Sequence, residues 1–596
     1  MPIEDKHSES CMSSISSAIR RVFSLFTGGC QHDQQRDSKR QQIPFAVNLM
    51  HNNQQPLTRI FVGPIAHAPI RGTVQVVPRA VLVIDNNGCI EKVVPVPETM
   101  KAEDALIYAG VNNRGQRPQV TELLAGEFLV PGLVDTHLHA PQFQFAGTAT
   151  AVSLMEWLQE YAYPAEKRMA DPEFAKTVYK KLLSFLIRNG TTTAVYFATI
   201  HLETSKILAD LCALYGQRAF VGKVAMDQNG QNDYVETTEG SLRDTEAFIQ
   251  YVLNNNNNLV RPIITPRFIP SCSSELLTGL GKLAKKYDIA IQSHISESDD
   301  EVSHTFQTQR QSDAQIFNSH NLLTNKCIMA HGVKLTSEDV DLLVSKNTSV
   351  SHCPLSNHFF ANGILPAKRW MDRGLNIGLG SDVAGGYSTS MLTAVRHAVT
   401  SSRALNDLGP TPGREKGYDV LNWKDAFYLA TMGGAKALGL ENVIGSFEVG
   451  KSFDALHINV SEALGNQPGF GGGYGFGGGF GRDKDGGFGF GFGGGAGAGA
   501  GLGNGRLGGG GGLGGGFGGG LGRDGNLGFG GGFGSGAGAG RNQPGVGQPV
   551  TVFPNLDTLE SMIEKWMTLS DDRNVQNVWI GGKQIVYYGQ LAVSNS

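Results

Sequence analysis

The stretch PGLVDTHLH, residues 131–139, indicates both the fold and the chemistry of this chain. Apolar residues at positions 128–130 lead into it, as in a buried strand. Side chains alternate along a strand with a period of two, so His137 and His139 share one face. Two imidazoles side by side are a typical pair of metal ligands. The stretch therefore predicts a strand that ends at a metal site.

Strands and helices alternate on the C-terminal side of this stretch. Residues 154–161 and 173–188 have amphipathic helical patterns, and the second ends at Asn189-Gly190. Short apolar segments predict further strands at residues 193–197, 220–224, 263–268, 290–294, 327–331, 349–352 and 376–379. Such alternation is typical of a parallel sheet with helical crossovers. Eight strands of this kind predict an α/β fold, a closed (β/α)8 barrel of the TIM type.

A second, smaller β-structure is predicted from segments at the two ends of the chain. Turn signals such as Asn86-Asn87-Gly88 separate short strands at residues 59–62, 72–77, 80–85 and 90–94. Residues 577–587 have the pattern of a hairpin with Gly581-Gly582 at its turn. We expect this hairpin to pair with the N-terminal strands in a small β-sandwich.

Two low-complexity tracts interrupt this pattern. Residues 1–56 are polar and rich in Gln, Asn and Ser, which predicts a disordered extension. Residues 465–547 hold 45 of the chain's 80 glycines. Glycine loses the most entropy on ordering, so we expect a mobile loop insertion there, with self-association through its Phe residues as the alternative. The predicted organisation is the extension (1–56), a first sandwich part (57–130), the barrel (131–440), a second sandwich part (441–464), the glycine-rich insertion (465–547), and a C-terminal helix with the hairpin (548–596).

Composition and charge exclude several classes of function. The net charge is -4, and no apolar run approaches the ~18 residues of a membrane span. We therefore expect neither a nucleic-acid nor a membrane partner. The seven cysteines are scattered and form no CxxC pair, which indicates reduced thiols in a cytoplasmic protein. Residues 14–26 form a short amphipathic pattern, but the acidic Glu4, Asp5 and Glu9 favour a tail over a mitochondrial presequence.

Three further candidate ligands stand where predicted strands stop. They are His294 in QSHISE, His331 in MAHGV and Asp382 in GLGSD. Barrel enzymes place their catalytic groups at the carboxyl ends of the strands. One such histidine alone would more often be structural. Together with the H-x-H pair, however, five coherent placements favour a zinc site.

His137-x-His139, His294, His331 and Asp382 resemble the metal constellation of the amidohydrolase superfamily, and the resemblance covers residues 59–460 and the final hairpin. Many members bridge two metals with a carboxylated lysine at the end of strand four, where this sequence has Pro266-Arg267-Phe268. The chain is therefore similar to the mononuclear deaminase branch. This resemblance implies one Zn²⁺ per chain, with the ligands His137, His139, His294 and Asp382.

The resemblance also implies the catalytic groups. Glu297, three residues after His294, corresponds to the proton shuttle of that branch. Asp382 would accept the proton of the attacking water. His331 would orient that water, or bind the metal directly. The segments SHCPLSN (351–357) and GSD (380–382) are also similar to this branch.

The substrate follows from a finer resemblance. The run HLHAPQFQFAGT (137–148) and the pair Arg267-Phe268 resemble segments of members that deaminate guanine, which implies purine contacts from Gln142, Arg267 and Phe268. The remaining implied substrate contacts are His139, His294, Glu297 and Asp382. A purine needs an apolar plate for its faces and polar groups at its edges, and an arginine aimed at the ring carbonyl would favour guanine over adenine. The implied reaction converts guanine and water to xanthine and ammonia, and we expect a homodimer.

Two other functions stay open. A sister hydrolase acting on an adenosine-type nucleoside or another amino-substituted heterocycle would differ in the residues at the substrate's edges. A catalytically silent scaffold would usually have lost a ligand or the shuttle, and all are present. His201-Leu202-Glu203 matches half of the cytidine-deaminase signature but lacks the P-C-x-x-C partner that this signature requires.

Overall fold

The computed structural model describes residues 58–111, 118–231, 233–408, 420–461, 550, 552–553 and 556–592, together with the backbone of four strands between residues 481 and 534. The chain forms two compact units, one of residues 1–460 and 553–596 and the other of residues 461–552. The extension predicted at residues 1–56 lies outside the described residues.

The strands, numbered in chain order, are β1 (Arg59–His67), β2 (Gln75–Ile84), β3 (Ile90–Pro95), β4 (Gln119–Glu122), β5 (Glu127–Pro131), β6 (Leu133–His139), β7 (Thr191–Phe197), β8 (Arg218–Gly222), β9 (Val224–Ala225), β10 (Val260–Pro266), β11 (Ala290–Ile295), β12 (Cys327–His331), β13 (Ser349–His352), β14 (Asn376–Leu379), β15 (Ala455–Asn459), β16 (Gly481–Arg482), β17 (Phe488–Gly494), β18 (Gly514–Leu521), β19 (Leu527–Gly534), β20 (Val575–Ile580), β21 (Lys583–Tyr587) and β22 (Gln590–Leu591).

The α-helices are Ala102–Tyr108, Leu154–Trp157, Tyr163–Arg168, Pro172–Arg188, Leu202–Tyr215, Thr238–Asn254, Ser274–Tyr287, Asp299–Gln309, Asp313–Ser319, Ser337–Ser345, Pro354–Phe359, Ala367–Asp372, Met391–Asp407, Trp423–Tyr428, Gly434–Ala437 and Leu559–Leu569. Short 3-10 turns are Ala140–Phe145, Ile269–Ser271 and Asp572–Asn574, and π-helical turns are Leu158–Ala162 and Leu429–Gly433.

Eight parallel strands form the barrel that the sequence predicts. Their order is β6-β7-β8-β10-β11-β12-β13-β14, and the short β9 also pairs with β10. The last strand meets the first through the residues just after β14. The backbone N–H of Asp382 donates to the carbonyl oxygen of His137, and that of Ser381 donates to Oδ1 of Asp135, both at 2.9 Å. The barrel is therefore nearly closed, and the carboxyl ends of its strands meet on one side.

The helix Pro172–Arg188 shows how local sequence sets these elements. Asp171 caps it, because its carboxylate accepts from the backbone N–H groups of Glu173 and Phe174. Proline at the first helical position has no N–H to leave unpaired. The apolar residues recur every three to four positions and are buried. Gly190 ends the segment with a φ of 87°, a conformation that glycine adopts without strain.

A nine-stranded sheet joins the N- and C-terminal segments of the first unit. Its order is β22-β21-β20-β15-β5-β1-β2-β3, with β4 parallel beside β1. The predicted hairpin is present as β20 and β21, but it pairs with β15, which in turn pairs with β5. Phe61 in β1, Trp579 in β20 and Phe453, which lies just before β15, share one apolar core with ring centroids 5.1 to 5.7 Å apart. The end segments thus build a β-structure with an interior of its own.

Apolar side chains also fill the barrel and surround its active end. Val134, Val195, Phe220, Ile263 and Ile328 from five strands pack with the segment that follows helix Gly434–Ala437. A separate cluster joins the carboxyl ends of the strands to the Leu154–Trp157 region. The first cluster fills the interior with apolar side chains, whereas the candidate metal ligands lie at the carboxyl ends of the strands.

The second unit contains a four-stranded antiparallel sheet, in the order β16-β17-β18-β19. It lies within the tract expected to be a mobile loop. The strand β17 has the sequence FGFGFGG, and β19 has LGFGGGFG. Alternation with a period of two is typical of a strand. The expectation of a mobile loop rested on the glycine content and did not take this alternation into account.

Among the described residues, no helix is long and apolar enough to cross a membrane. Four cysteines are free and buried, namely Cys212, Cys272, Cys327 and Cys353. Cys89, in contrast, is disulfide-bonded. The expectation of reduced thiols is therefore wrong at Cys89, because pairing depends on Cα separations that the fold sets and sequence spacing does not reveal.

Candidate active site

The five predicted metal-site residues meet at the carboxyl ends of the barrel strands. His137 and His139 end β6, His294 lies near the end of β11, His331 ends β12, and Asp382 follows β14. All five side chains are buried. Parallel strands of a barrel direct their carboxyl ends to one rim, which is why residues so far apart in sequence come together.

Short distances join these side chains. Nε2 of His139 lies 2.9 Å from Nε2 of His294, and Nε2 of His137 lies 3.1 Å from Oδ1 of Asp382. The carboxylate of Asp382 also lies 3.8 Å from Nε2 of both His139 and His331. Ligand atoms of His137, His139 and His294 lie within 4.8 Å of one another, as do those of His137, His331, Asp382 and Cys353. His137 belongs to both groups, so the two form one cluster.

The donor atoms of this cluster fit a zinc ion. Nε2 of His137 is buried and makes no hydrogen bond among the described residues, although Oδ1 of Asp382 lies 3.1 Å away. This state is costly unless another group binds there. Nδ1 of His294 lies 2.6 Å from the carbonyl oxygen of Arg267, and Nδ1 of His331 lies 2.9 Å from Oδ1 of Asn357. Such outer partners direct the opposite ring nitrogen towards a metal. Imidazole nitrogens with one carboxylate are ligands that zinc prefers.

Burial keeps the histidines neutral. It lowers the pKa of His137, His139 and His294 well below the ordinary value, and neighbouring imidazoles lower it further. Burial also lowers the pKa of His331, although Asp382 opposes this shift. A neutral imidazole has the free lone pair that a metal ligand needs. The cluster is therefore ready to bind a cation at neutral pH.

Backbone contacts hold Asp382 in position. Asp135 accepts hydrogen bonds from the backbone N–H of Ser381 at 2.9 Å and from that of His137 at 3.2 Å. A Cβ at Gly380 would lie 3.0 Å from Cβ of His137 and 2.7 Å from Oγ of Ser351, so this approach requires glycine. Asp382 itself has a φ of 50°, a left-handed conformation that costs about 1 kcal/mol or more and is common at active sites.

Glu297 lies beside this cluster. Its Oε2 is 3.6 Å from Nε2 of His331, and its backbone N–H donates to Oε2 of the buried Glu301 at 2.6 Å. Burial raises the pKa of Glu297 well above its ordinary value, and the nearby Asp382 raises it further. A raised pKa favours the protonated form of a carboxyl group, which is the form that a general acid needs.

A pocket opens above the cluster. Its walls combine the metal-site residues with apolar side chains, and the lining residues are His139, Gln142, Leu154, Trp157, Leu158, Arg267, Phe268, His294, Glu297, His331, Phe360, Asp382 and Gly385. The predicted substrate contacts Gln142, Arg267 and Phe268 all belong to this lining. Apolar walls for the faces of a ring and polar groups for its edges match the requirements of a flat heterocycle.

Glu166 organises the polar side of this pocket, and it was missed in the sequence. It lies in helix Tyr163–Arg168 and is fully buried. Nη1 and Nη2 of Arg267 donate to its two carboxylate oxygens at 2.6 and 3.0 Å. Burial opposes the charge of Arg267, but Glu166 more than offsets this and raises its pKa. The segment PAEKR around Glu166 carries no motif that would reveal this role.

Cys353 is a second residue that sequence reasoning did not place in the site. Its Sγ belongs to the group with His137, His331 and Asp382. Burial raises the pKa of its thiol well above the ordinary value, and Asp382 raises it further. The protonated thiol donates to the carbonyl oxygen of Ser351 at 3.6 Å. The segment SHCPLSN around Cys353 is similar to the deaminase branch, but the similarity does not single out this residue.

The other candidate histidines lie elsewhere. His201 immediately precedes helix Leu202–Tyr215 and Glu203 pairs with Lys206 on its surface, so neither joins the cluster. Two histidines that belong to no recognised motif contact hydroxyl groups. Nδ1 of His320 lies 2.9 Å from Oγ1 of Thr278, and Nε2 of His358 lies 2.6 Å from Oγ of Ser401. His304 is exposed.

Comparison with known proteins agrees with this geometry. Residues 128–472 match the model of the amidohydrolase family. The chain belongs to the amidohydrolase family. It is a hydrolase of the guanine deaminase group, because curated guanine deaminases resemble this amidohydrolase over most of their length. The enzyme of Dictyostelium discoideum is 39% identical over 68% of this chain and 89% of its own, and that of Homo sapiens is 43% identical over 68% and 87%.

A solved structure supports the same relationship. This amidohydrolase is similar to the guanine deaminase of C. acetobutylicum, crystallised with guanine bound in its active site. The TM-score is 0.67 at 26% sequence identity, and the match covers 88% of this chain and 99% of that chain. The predicted fold class is confirmed by this match together with the barrel and the second sheet.

Proposed function

We propose that this amidohydrolase catalyses the hydrolytic deamination of guanine to xanthine and ammonia. The sequence identity to the guanine deaminases of Dictyostelium discoideum and Homo sapiens is the observation that carries the proposal. The guanine-bound relative supports the same substrate. The pocket has the matching chemistry, since buried acid and base groups lie next to a neutral histidine cluster and a slot for a flat ring.

The proposed metal ligands are His137, His139, His294 and Asp382, with one ion in each chain. His331 lies close enough to Asp382 and Glu297 to hydrogen-bond a water between them. Zinc held by these side chains would supply a Lewis acid that makes water a nucleophile near neutral pH. Cys353 stays protonated behind the cluster and is not assigned as a ligand.

Glu297 and Asp382 divide the proton transfers in this proposal. Burial and the nearby Asp382 raise the pKa of Glu297, which favours the protonated form that a general acid needs. Glu297 donates its proton to the ring nitrogen beside C2, which makes C2 electrophilic. Asp382 accepts the proton of the attacking water as the new C–O bond forms. Glu297, now a carboxylate, takes the remaining proton of the new hydroxyl group and carries it to the departing nitrogen, so the C–N bond breaks, ammonia leaves and the carbonyl of xanthine forms at C2. The proton held by Asp382 then returns Glu297 to its acid form.

The purine contacts are proposed for Phe268, Gln142 and Arg267. Phe268 is buried at the pocket wall and offers an apolar face to the ring. Arg267 has five N–H donors, of which Glu166 takes two. The remaining donors are available for the ring carbonyl of guanine, an acceptor that adenine lacks. His139 and His294 also line the pocket, so they are proposed as contacts of the ring edge that is attacked.

The test is an assay of purified protein with guanine, adenine, adenosine and an aminotriazine as parallel substrates. We expect ammonia release and xanthine formation from guanine alone. Deamination of adenosine or of the triazine in preference to guanine would identify a sister hydrolase, and no turnover in a zinc-loaded sample would favour a scaffold. The homodimer and the cytoplasmic location stay predictions, which sedimentation and cell fractionation test.

A further inference from the structure

The carboxylate of Glu166 is saturated with hydrogen bonds. Its Oε1 accepts from Nε2 of Gln142 at 2.8 Å and from Nη2 of Arg267 at 3.0 Å. Its Oε2 accepts from Nη1 of Arg267 at 2.6 Å and from the hydroxyl of Tyr234 at 2.7 Å. An ionised carboxylate has about four acceptor sites, so none is left for a ligand. Glu166 is also absent from the pocket lining, and it can act on a substrate only through its partners.

The first partner, Gln142, is held in one orientation. Because Nε2 donates to Glu166, Oε1 points the other way, where the backbone N–H of Ala384 donates to it at 3.4 Å. A reversed amide would bring a carbonyl oxygen against the carboxylate and an NH2 group against a backbone donor. The glutamate thus decides which edge of Gln142 is a donor and which is an acceptor in the pocket.

The second partner, Arg267, is fixed in plane and direction. The two-point contact with Glu166 sets the orientation of the guanidinium, and the ring of Tyr163 lies 4.8 Å from its central carbon. Planar two-point pairs of this kind are geometrically specific. The donors that Arg267 has left therefore point in a fixed direction from the pocket wall.

We propose that Glu166 is a positioning residue that sets the preference of the pocket for a purine with a ring carbonyl, by orienting the donors of Arg267 and the amide of Gln142. The inference rests on the proposed function, since it assigns the specificity of that same site. Without the carboxylate, Arg267 and Gln142 change orientation together, and the advantage of a carbonyl substrate is lost while the groups at the metal site stay in place.

The test compares guanine with 2-aminopurine, which has the same amino group at C2 but no carbonyl at C6. We expect Glu166→Gln to lower the ratio of kcat/KM for guanine to kcat/KM for 2-aminopurine at least ~10-fold, mainly through a higher KM for guanine. Bound zinc should stay at the level of the unaltered protein. A ratio within twofold of that of the unaltered protein would show that Glu166 has only a structural role.

A matched control is available in the pair of Arg218 and Asp454. This pair is also buried, and Nε and Nη2 of Arg218 donate to the two carboxylate oxygens of Asp454 at 3.0 and 3.1 Å. Asp454 lies next to β15 of the nine-stranded sheet. Asp454→Asn should reduce thermal stability and leave the substrate ratio unchanged. If this control lowered the ratio as much as Glu166→Gln does, loss of any buried pair would explain the effect and the inference would fail.

A second variant covers the case in which Glu166→Gln does not fold. Tyr234→Phe removes a single donor to Oε2 of Glu166 and conserves the ring. We expect a two- to fivefold lower ratio with little change in kcat, and an unchanged ratio would contradict the inference. Failure of the proposed function would look different, because the unaltered protein would then release no ammonia from guanine.

Discussion

Nε2 of His139 and Nε2 of His294 lie 2.9 Å apart although 155 positions separate the two residues. Burial lowers the pKa of both rings, so neither carries a positive charge near neutral pH. Their inner nitrogens thus converge on the place towards which His137 and Asp382 also point. A single cation at this place would satisfy all four groups.

The first prediction concerns metal content. We expect about one equivalent of zinc per chain, because there is one set of ligands and no lysine at the end of β10 to bridge a second ion. His294→Ala should lose most of it. The exposed His304→Ala is the control and should keep it. Two tightly held ions per chain in elemental analysis would contradict the mononuclear assignment.

The second prediction concerns Glu297. Glu297→Gln should lower kcat at least ~10²-fold while the fold and the zinc are retained, since a general acid is removed without a change of shape. Steady-state kinetics with guanine measure this. Glu203→Gln provides the control, because Glu203 is 72% exposed and belongs to the unrelated H-x-E match. Parent-like turnover of the Glu297 variant would assign the proton transfer to another residue.

The barrel was predictable, and so was the meeting of the five candidate ligands at its rim, because their signals are local. The strands at residues 327–331, 349–352 and 376–379 are observed at the predicted bounds. In two places the predicted strand boundaries differ from the observed ones. The strand predicted at 220–224 is divided into β8 and β9 around Lys223, and the two predicted at 72–77 and 80–85 belong to the single strand β2. A ligand at the end of an apolar run can be found from sequence, since strand direction alone puts it at the rim.

The polar network behind the pocket was not predictable in the same way. Glu166 meets Arg267 across 101 positions, and Ser381 meets Asp135 across 246. Such pairs depend on how the barrel closes and on which helix covers its rim. The sequence expectation that Arg267 contacts the substrate did not include this pair, in which two of its donors serve Glu166.

The third prediction follows from that pair. Arg267→Ala leaves a buried carboxylate unpaired and should cost about 3–5 kcal/mol of unfolding free energy. Urea denaturation measures it. The ion pair of Arg573 and Asp571 at the surface offers a control. Arg573 is 45% exposed, so Arg573→Ala should cost under ~1 kcal/mol of unfolding free energy. Equal losses in the two variants would mean that Glu166 does not depend on Arg267.

The fourth prediction concerns pH and His67. Burial lowers the pKa of His67, although Gln75 and Glu448 oppose this shift and Lys451 adds to it. Its Nδ1 accepts from the backbone N–H of Phe447 at 3.0 Å, which a protonated ring could not do. In the unfolded chain His67 takes up a proton near pH 6.5, whereas in the folded chain it stays neutral to a lower pH. The contribution of His67 to the free energy of unfolding is therefore complete above pH 6.5 and falls by up to about 1.4 kcal/mol per pH unit below it.

His67→Gln tests this sign. The stability deficit of the variant should be largest near pH 7.5 and should shrink between pH 6.5 and 5.5, as followed by urea denaturation. His304→Gln should show the pH dependence of the unaltered protein. A deficit that is constant with pH would mean that folding does not change the pKa of His67, and one that grows in acid would mean that folding raises it; either result contradicts the prediction.

The last prediction concerns the glycine-rich insertion. Deleting residues 465–547 and joining the ends with a short linker should leave guanine turnover, bound zinc and thermal stability nearly unchanged. The proposed catalytic groups all lie in the first unit, and the insertion lies in the second. Before the insertion, β15 is paired on both sides by β5 and β20. After it, Thr558 caps helix Leu559–Leu569 from within the first unit. Both flanking elements therefore have their own partners.

Loop closure sets the size of any effect of this deletion. Each halving of a flexible connection recovers only about 0.6 kcal/mol, so slight stabilisation or none is expected. Trp566→Ala is the positive control, because Trp566 is fully buried against Phe128 and its truncation should cost about 3–5 kcal/mol. The deletion should act instead on solubility at high concentration, where the Phe-Gly strands of different molecules can pair edge to edge. Loss of zinc or unfolding of the deletion variant would show that the first unit depends on the insertion.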